Sequence, residues 1–163
     1  MKSPKWWPIW GLTRRLTERT GYSKDLDVPS ASRIFRKSLH VYPIDVGNAN
    51  DLNFDIRALQ APQYNIHRFG IFFADVPRHA DVLLVLGRPI EKMVPVLLET
   101  ANQMPGPYSI VSIESEGENG FIGREVGVDI ASLGLTNVAA RITNYREPKD
   151  IIAVLLNLMG KVN

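Results

Sequence analysis

The side chains best able to do chemistry in this sequence are carboxylates, in two groups. Asp45, Asp51 and Asp55 lie in "YPIDVGNANDLNFDIRAL", residues 42–59. Glu114, Glu116 and Glu118 lie in "ESEGENG", residues 114–120. Gathered at one edge, they would form an acidic pocket able to relay protons or to hold a hard cation such as Mg²⁺ or Ca²⁺. The alternative is that they solvate loops or pair with Arg57, Arg78, Arg124 and Arg146. Other chemistries lack their residues. The chain has no cysteine, which excludes disulfides, thiolate metal sites and iron–sulfur ligation by its own side chains. His40, His67 and His79 share no metal-ligand spacing, so no metal site is expected. "GENGFIG" has glycines but neither GxGxxG nor a P-loop lysine.

The elements around these residues read as alternating strands and helices. "LHVYPIDV" (39–46) is strand-like and ends at Gly47. A polar turn and the helix-like "DLNFDIRALQA" (51–61) follow, ended by Pro62. A strand, a glycine turn and a helix start usually mark a binding place in α/β proteins. Yet this turn holds no Cys, His, Lys or Ser. "RFGIFFA" (68–74), "ADVLLVLG" (80–87), "YSIVSIE" (108–114) and "NVAARIT" (137–143) are further strands, the second with the unbroken apolar run of a doubly buried strand. "IEKMVPVLLETANQM" (90–104) has helical spacing, and Pro95 predicts a bend or a late start. "PKDIIAVLLNLMG" (148–160) is a helix with Pro at its start and Gly at its end. This alternation predicts an open, mostly parallel, doubly wound α/β sheet of flavodoxin-like type. Ligands of such sheets lie beyond the carboxyl ends of the strands. There the loops 47–53, 115–125 and 143–147 would build any site.

The 163 residues suit one domain, with 45% hydrophobic and 22% charged residues. The net charge of +2 is unevenly spread. Residues 1–40 hold nine Lys/Arg against three Asp/Glu, and the remainder ten against fourteen. A basic arm (1–37) therefore precedes an acidic α/β body (38–163). Trp6, Trp7 and Trp10 are all three tryptophans of the chain, and Arg14 and Arg15 follow them. Such a segment suits a membrane–water interface, or equally a docking site on a neighbouring subunit. A nucleic-acid partner is not expected, because the body is acidic and carries no recognised binding motif. No apolar run reaches the roughly 18–20 residues of a bilayer span, and no secretory signal is legible, which predicts a cytoplasmic placement.

Several segments, in order and at matching spacing, resemble one family. "YNIHRFG" (64–70) is similar to its Tyr-x-x-x-Arg-Phe-Gly, and "PRHADVLLVLG" (77–87) to its Pro-Arg-His/Gln-x-Asp-Val-x-x-Val-x-Gly. "EKMVPVLLETANQMPGPYSIVSI" (91–113) resembles its Lys-Met…Gln-Met-Pro-x-Pro segment, and "EPKDIIAVLL" (147–156) the start of its last helix. The family is the B subunit of respiratory complex I together with the small subunit of membrane-bound, energy-converting [NiFe] hydrogenases. Its members hold one [4Fe–4S] cluster on four cysteines. The hydrogenase-like Gly-x-Cys-x-x-Cys turn falls on "GNANDL", which puts Ala49 and Leu52 at the first two ligand positions. The adjacent cysteines of complex I would fall on Asp51 and Leu52. The third ligand position falls near Glu116 and the fourth near Asn144.

The resemblance implies a subunit without a cofactor, because every cluster ligand is missing. It implies a redox-silent, non-catalytic role between a hydrogenase- or complex I-type large subunit and antiporter-like, ion-translocating membrane subunits. The place implied is peripheral, on the cytoplasmic face of the membrane, with the Trp-rich arm at the membrane surface. Asp55 falls where the family has an acidic residue beside the cluster turn. With Asp45, Glu114 and Arg78 it is expected to serve proton relay or partner contact. The alternative is a stand-alone protein or sensor that uses the vacated cluster cavity for a small ligand or metal. Leu52 is expected to fill that cavity, and the 115–125 loop to collapse toward it.

Overall fold

A computed structural model describes residues 37–47, 50–115 and 127–161. Strands β1 (Leu39–Asp45), β2 (Ile71–Phe73), β3 (Val82–Leu86), β4 (Ser109–Ser115) and β5 (Val138–Tyr145) form one sheet. Their order is β2-β1-β3-β4-β5, and every pairing is parallel. Helices α1 (Asp51–Gln60), α2 (Val94–Asn102) and α3 (Pro148–Leu158) cover its faces. The expected parallel, doubly wound sheet is present, in the flavodoxin-like strand order.

Strand side chains alternate between two cores, because successive Cβ atoms leave opposite faces of a sheet. Leu39 and Val41 of β1, Val82, Leu84 and Leu86 of β3, and Val111 and Ile113 of β4 meet α1 and α3 on the first face. Ile44, Leu83, Val85 and Ile110 meet Leu97 and Ala101 of α2 on the second face, together with Met104 and Ile130. All five residues of β3 are buried, as their unbroken apolar run requires. Each fully buried Leu or Ile side chain contributes about 1.5–3 kcal/mol relative to exposure.

Pro43 lies in a strand with neighbours on both sides, where a missing N–H normally breaks a ladder. The short β2 removes the conflict. Leu39 N–H donates to Gly70 O and Val41 O accepts from Ala74 N–H, so alternate residues of β1 turn their backbone toward β2. β2 ends at Phe73, opposite Val41. Pro43 lies beyond that end, and no ladder partner is lost.

The second strand is shorter than the sequence pattern predicts. Ile66–Phe69 form a 3₁₀ turn framed by two left-handed residues, Asn65 (φ 44°) and Gly70 (φ 80°). A Cβ at Gly70 would lie 2.7 Å from the Lys37 carbonyl oxygen, so only glycine fits. Pro95 sets a late helix start rather than a bend: α2 begins at Val94, after a 3₁₀ turn at Glu91–Met93. β5 runs two residues further than expected and absorbs Asn144 and Tyr145. α3 opens on a capping box between Glu147 and Asp150, with Pro148 at its first turn.

Candidate functional site

The sheet order reverses between β1 and β3, where doubly wound folds usually bind ligands. That crevice is filled. Ile90 N–H donates to Val46 O at 3.0 Å, and the Ile90 side chain lies against Gly47. A Cβ at Gly47 would stand 2.8 Å from Ile90 Cγ2, and Gly47 has φ 123°. Glycine is therefore required for the close approach of the two loops.

Beside it, the start of α1 is fixed by short-range hydrogen bonds. Asp45, the last residue of β1, accepts from Gly47 N–H at 2.9 Å and from Asn53 Nδ2 at 2.6 Å. Asn53 Nδ2 also donates to Asn50 Oδ1 at 2.9 Å. The Asp51 carboxylate accepts from Leu52 N–H at 2.9 Å and lies in the first turn, where a negative charge opposes the helix dipole. Leu52 itself is fully buried, in one apolar core with Ile56, Leu59, Ile142, Tyr145 and Ile151.

Asp55 lies one turn further along α1. The Tyr145 hydroxyl, at the end of β5, donates to Asp55 Oδ2 at 2.6 Å. The ring of Tyr145 is buried within the first core. Burial, and then the hydrogen bond and charge of Asp55, push the phenol far above its ordinary value of 10. The proton therefore stays on Tyr145, and the bond ties the first turn of the edge to its last strand. Sequence patterns identified Asp55 but missed Tyr145. Its only signal is a large polar aromatic directly after the fourth vacated position, in "RITNYREP".

The other carboxylates do not join this pair. Glu114 of β4 accepts from Arg141 Nη2 at 3.2 Å, and the same nitrogen lies 3.0 Å from Asp129 Oδ1. The Ala131 N–H first, and then Arg141 and Arg88, hold the Asp129 carboxyl below its usual range against the opposing effect of desolvation. Arg78 is exposed in the turn Pro77–His79, at the amino end of β3. The short crossover from β2 to β3 keeps it away from the carboxyl edge, so it does not join Asp45 and Asp55. His40 and His67 stack on Phe72, with ring centroids 5.7 and 5.5 Å apart. Among the described residues no group of three or more His, Asp or Glu could hold a metal ion. Among the described residues the carboxylates of the expected acidic pocket lie in separate groups.

Ala49, Glu116, Glu118, Trp6, Trp7, Trp10, Arg14, Arg15 and the collapse expected of the 115–125 loop lie outside the described residues, as does the side chain of Asn144. A [4Fe–4S] cluster does not fit the residues that are described. Leu52 offers no donor atom and is packed in an apolar core, Asp51 is engaged with the helix start, and the full sequence holds no thiolate.

No family model matches the chain. It is 32% identical over 130 residues to the uncharacterized protein MJ0516 of Methanocaldococcus jannaschii, covering 78% of this chain and 88% of that protein. It is 33% identical over 87 residues to formate hydrogenlyase subunit 7 of Escherichia coli, covering 53% of this chain but only 34% of that subunit. A chain of the membrane-bound sulfane sulfur reductase (MBS), an archaeal respiratory membrane complex, superposes with a TM-score of 0.61 at 19% identity, over 77% of this chain and 71% of that one. At that identity the likeness bears on the fold alone. The chain therefore belongs to the family of MJ0516, and over 87 residues it is similar to formate hydrogenlyase subunit 7.

Proposed function

We propose that this chain is a redox-silent subunit of a membrane-associated complex, bridging a hydrogenase-like large subunit to ion-translocating membrane subunits. The observation that carries this reading is the carboxyl edge of the sheet. In a chain with no cysteine, the described part of that edge holds the buried Leu52 and the Tyr145–Asp55 hydrogen bond. Leu52 takes the role of plug in the space a cluster would need. Asp55 keeps a role in partner contact or proton transfer, and the neighbouring Phe54, 67% exposed, offers an apolar anchor beside it. Among the described residues no helix is long and apolar enough to cross a membrane, which is compatible with a peripheral place. The rival reading, a ligand site in a vacated cavity, draws no support from a crevice filled by Ile90 and an edge filled by Leu52.

Two experiments test the proposal. The full chain, purified anaerobically, is expected to carry no iron or acid-labile sulfide. A tagged copy isolated from its native membranes should bring with it a hydrogenase-like large subunit and antiporter-like membrane subunits, identified by mass spectrometry. Stoichiometric iron and sulfide, or a chain that stays monomeric in those membranes, overturns the reading. In the same assembly, residues 1–20 serve as the membrane or docking anchor. Their removal should release the subunit from isolated membranes with its circular dichroism spectrum intact, since the body has its own two cores. Unchanged membrane retention of the truncated subunit rejects the anchor.

A further inference from the structure

Because every strand pairs in parallel, the amino ends of the strands lie together, opposite the edge that carries Leu52 and Asp55. At the corner formed by β1 and β2, one unbroken row of contacts gathers basic and aromatic side chains. Lys161 Nζ donates to Phe69 O at 2.6 Å, and the Arg68 guanidinium lies 4.4 Å from the centre of the Phe69 ring. Lys37 O and Lys161 Nζ both lie against Gly70. His67 stacks on Phe72, and Phe72 on His40. His40 N–H donates to Asp81 Oδ2 at 2.8 Å, and Asp81 N–H donates to His40 O at 2.7 Å. The turn Pro77–His79, with Arg78 and His79 exposed, stands directly before Asp81. Phe72 (39% exposed) and Val76 (42%) are large apolar side chains left open to solvent here.

The charge of the body is divided between the two ends. Residues 37–163 hold eleven Lys/Arg and fourteen Asp/Glu. Lys37, Arg68, Arg78 and Lys161 stand in this corner with Asp75 and Asp81, a net of +2, while the other seven and twelve leave −5 to the remainder. Asp81 is also occupied by His40. All three histidines of the chain are here, and an imidazole can only add to the positive side. The basic arm joins the body at Lys37, in the same corner. Protein interfaces are depleted of lysine and, at their centre, of charge. Here two exposed apolar side chains stand among four cations. That pattern fits an anionic bilayer, which asks for basic charge and shallow apolar insertion but for no complementary shape.

We propose that this corner of the body lies on an anionic lipid surface, so that the strands run from the membrane toward the edge with Leu52 and Asp55. Lys37, Arg68, Arg78 and Lys161 face the lipid headgroups, and Phe72 and Val76 enter the headgroup layer. The acidic remainder and the Asp55 edge then point away from the lipid, toward a protein partner. The inference deepens the peripheral place proposed above and rests on it for a membrane to bind.

The test is sedimentation of the full chain with vesicles of phosphatidylserine and phosphatidylcholine and with vesicles of phosphatidylcholine alone, beside its binding to polyglutamate. The chain is expected to sediment with the anionic vesicles and not with the neutral ones. The double substitution Arg68→Gln, Arg78→Gln should weaken that binding about 25-fold, since each basic side chain at an anionic surface contributes roughly five-fold. The double substitution Lys92→Gln, Arg146→Gln removes the same charge from exposed positions past the carboxyl ends of β3 and β5. It should change the binding by less than about two-fold, because charges beyond a Debye length are screened. Should Arg68→Gln disturb the fold through lost stacking on Phe69, Arg78→Gln alone is expected to weaken binding about five-fold. Equal losses in the two doubles, no loss in the first, or equal binding to neutral vesicles overturns the lipid face. Polyglutamate binding that exceeds vesicle binding and is lost with the first double assigns the corner to an acidic protein, and overturns it too. No iron and no large subunit enters these measurements, so the lipid face and the bridging role fail independently.

Discussion

Replacing Leu52 by Ala is expected to destabilise the chain by roughly 2–5 kcal/mol. The side chain is fully buried in the first core, between the start of α1 and the strands beneath it. Its removal takes away transfer free energy and leaves a void, which adds about 24 cal/mol for each Å³ that does not collapse. Leu52→Met keeps the volume and should cost less than about 1.5 kcal/mol. Urea unfolding of the two variants at neutral pH provides the comparison. A loss near zero for Leu52→Ala would mean that the edge closes without this side chain, and the plug would have to be sought elsewhere.

Raising the pH should expose the Tyr145–Asp55 pair. The phenol is raised in the folded state above its ordinary value of 10. In the unfolded chain it ionises near that ordinary value, and in the folded chain it does not. The folded state thus holds one more proton above pH 10. Its contribution is fully present below about pH 10 and falls by about 1.4 kcal/mol per pH unit as the pH rises from there toward the folded value. Tyr145→Phe keeps the ring and removes the titrating group. Between pH 10 and 12 the wild type should lose roughly 2–3 kcal/mol more than Tyr145→Phe. At neutral pH the variant should be weaker by roughly 1.5–3 kcal/mol, because Asp55 loses a short hydrogen bond to a charged acceptor. Parallel alkaline limbs in the two proteins would show that the hydroxyl ionises in the folded state and that the bond holds nothing in place.

The sequence carried the sheet well, because its strands announce themselves by composition. β3 is an unbroken apolar run and β1 ends on a glycine turn, so their existence, order and class were legible. What was hidden depends on partners far along the chain. The reduction of "RFGIFFA" to three residues follows from the left-handed Asn65 and from the Lys37 carbonyl above Gly70, and neither leaves a local pattern. The carboxylates could be counted, yet their partners could not. Asp45 turns to Asn53, eight residues away, whereas Glu114 finds Arg141 and Asp55 finds Tyr145 only through the strand order. An acidic pocket was a fair expectation from one-dimensional clustering. Among its described members the sheet separates Glu114, which leaves β4 on the second face, from Asp55, which belongs to a helix on the first. The resemblance to a cluster-binding family located this edge, but it could not reveal the bond between Asp55 and Tyr145.

The Tyr145–Asp55 bond joins residues ninety positions apart. Closing a loop of that length costs chain entropy that grows with the logarithm of its size, and nothing is returned until both ends dock. β5 is an edge strand and the last strand of the sheet to leave the ribosome. Until it pairs with β4, Leu52 and Asp55 lack their cover, and α1 presents an open apolar stripe. The edge that would face a partner is therefore completed only after β5 has been made. Assembly is thereby coupled to the docking of β5: a chain stalled before β5 has the helix but not the finished surface, and a partner that reads this edge also reads whether that strand is in place.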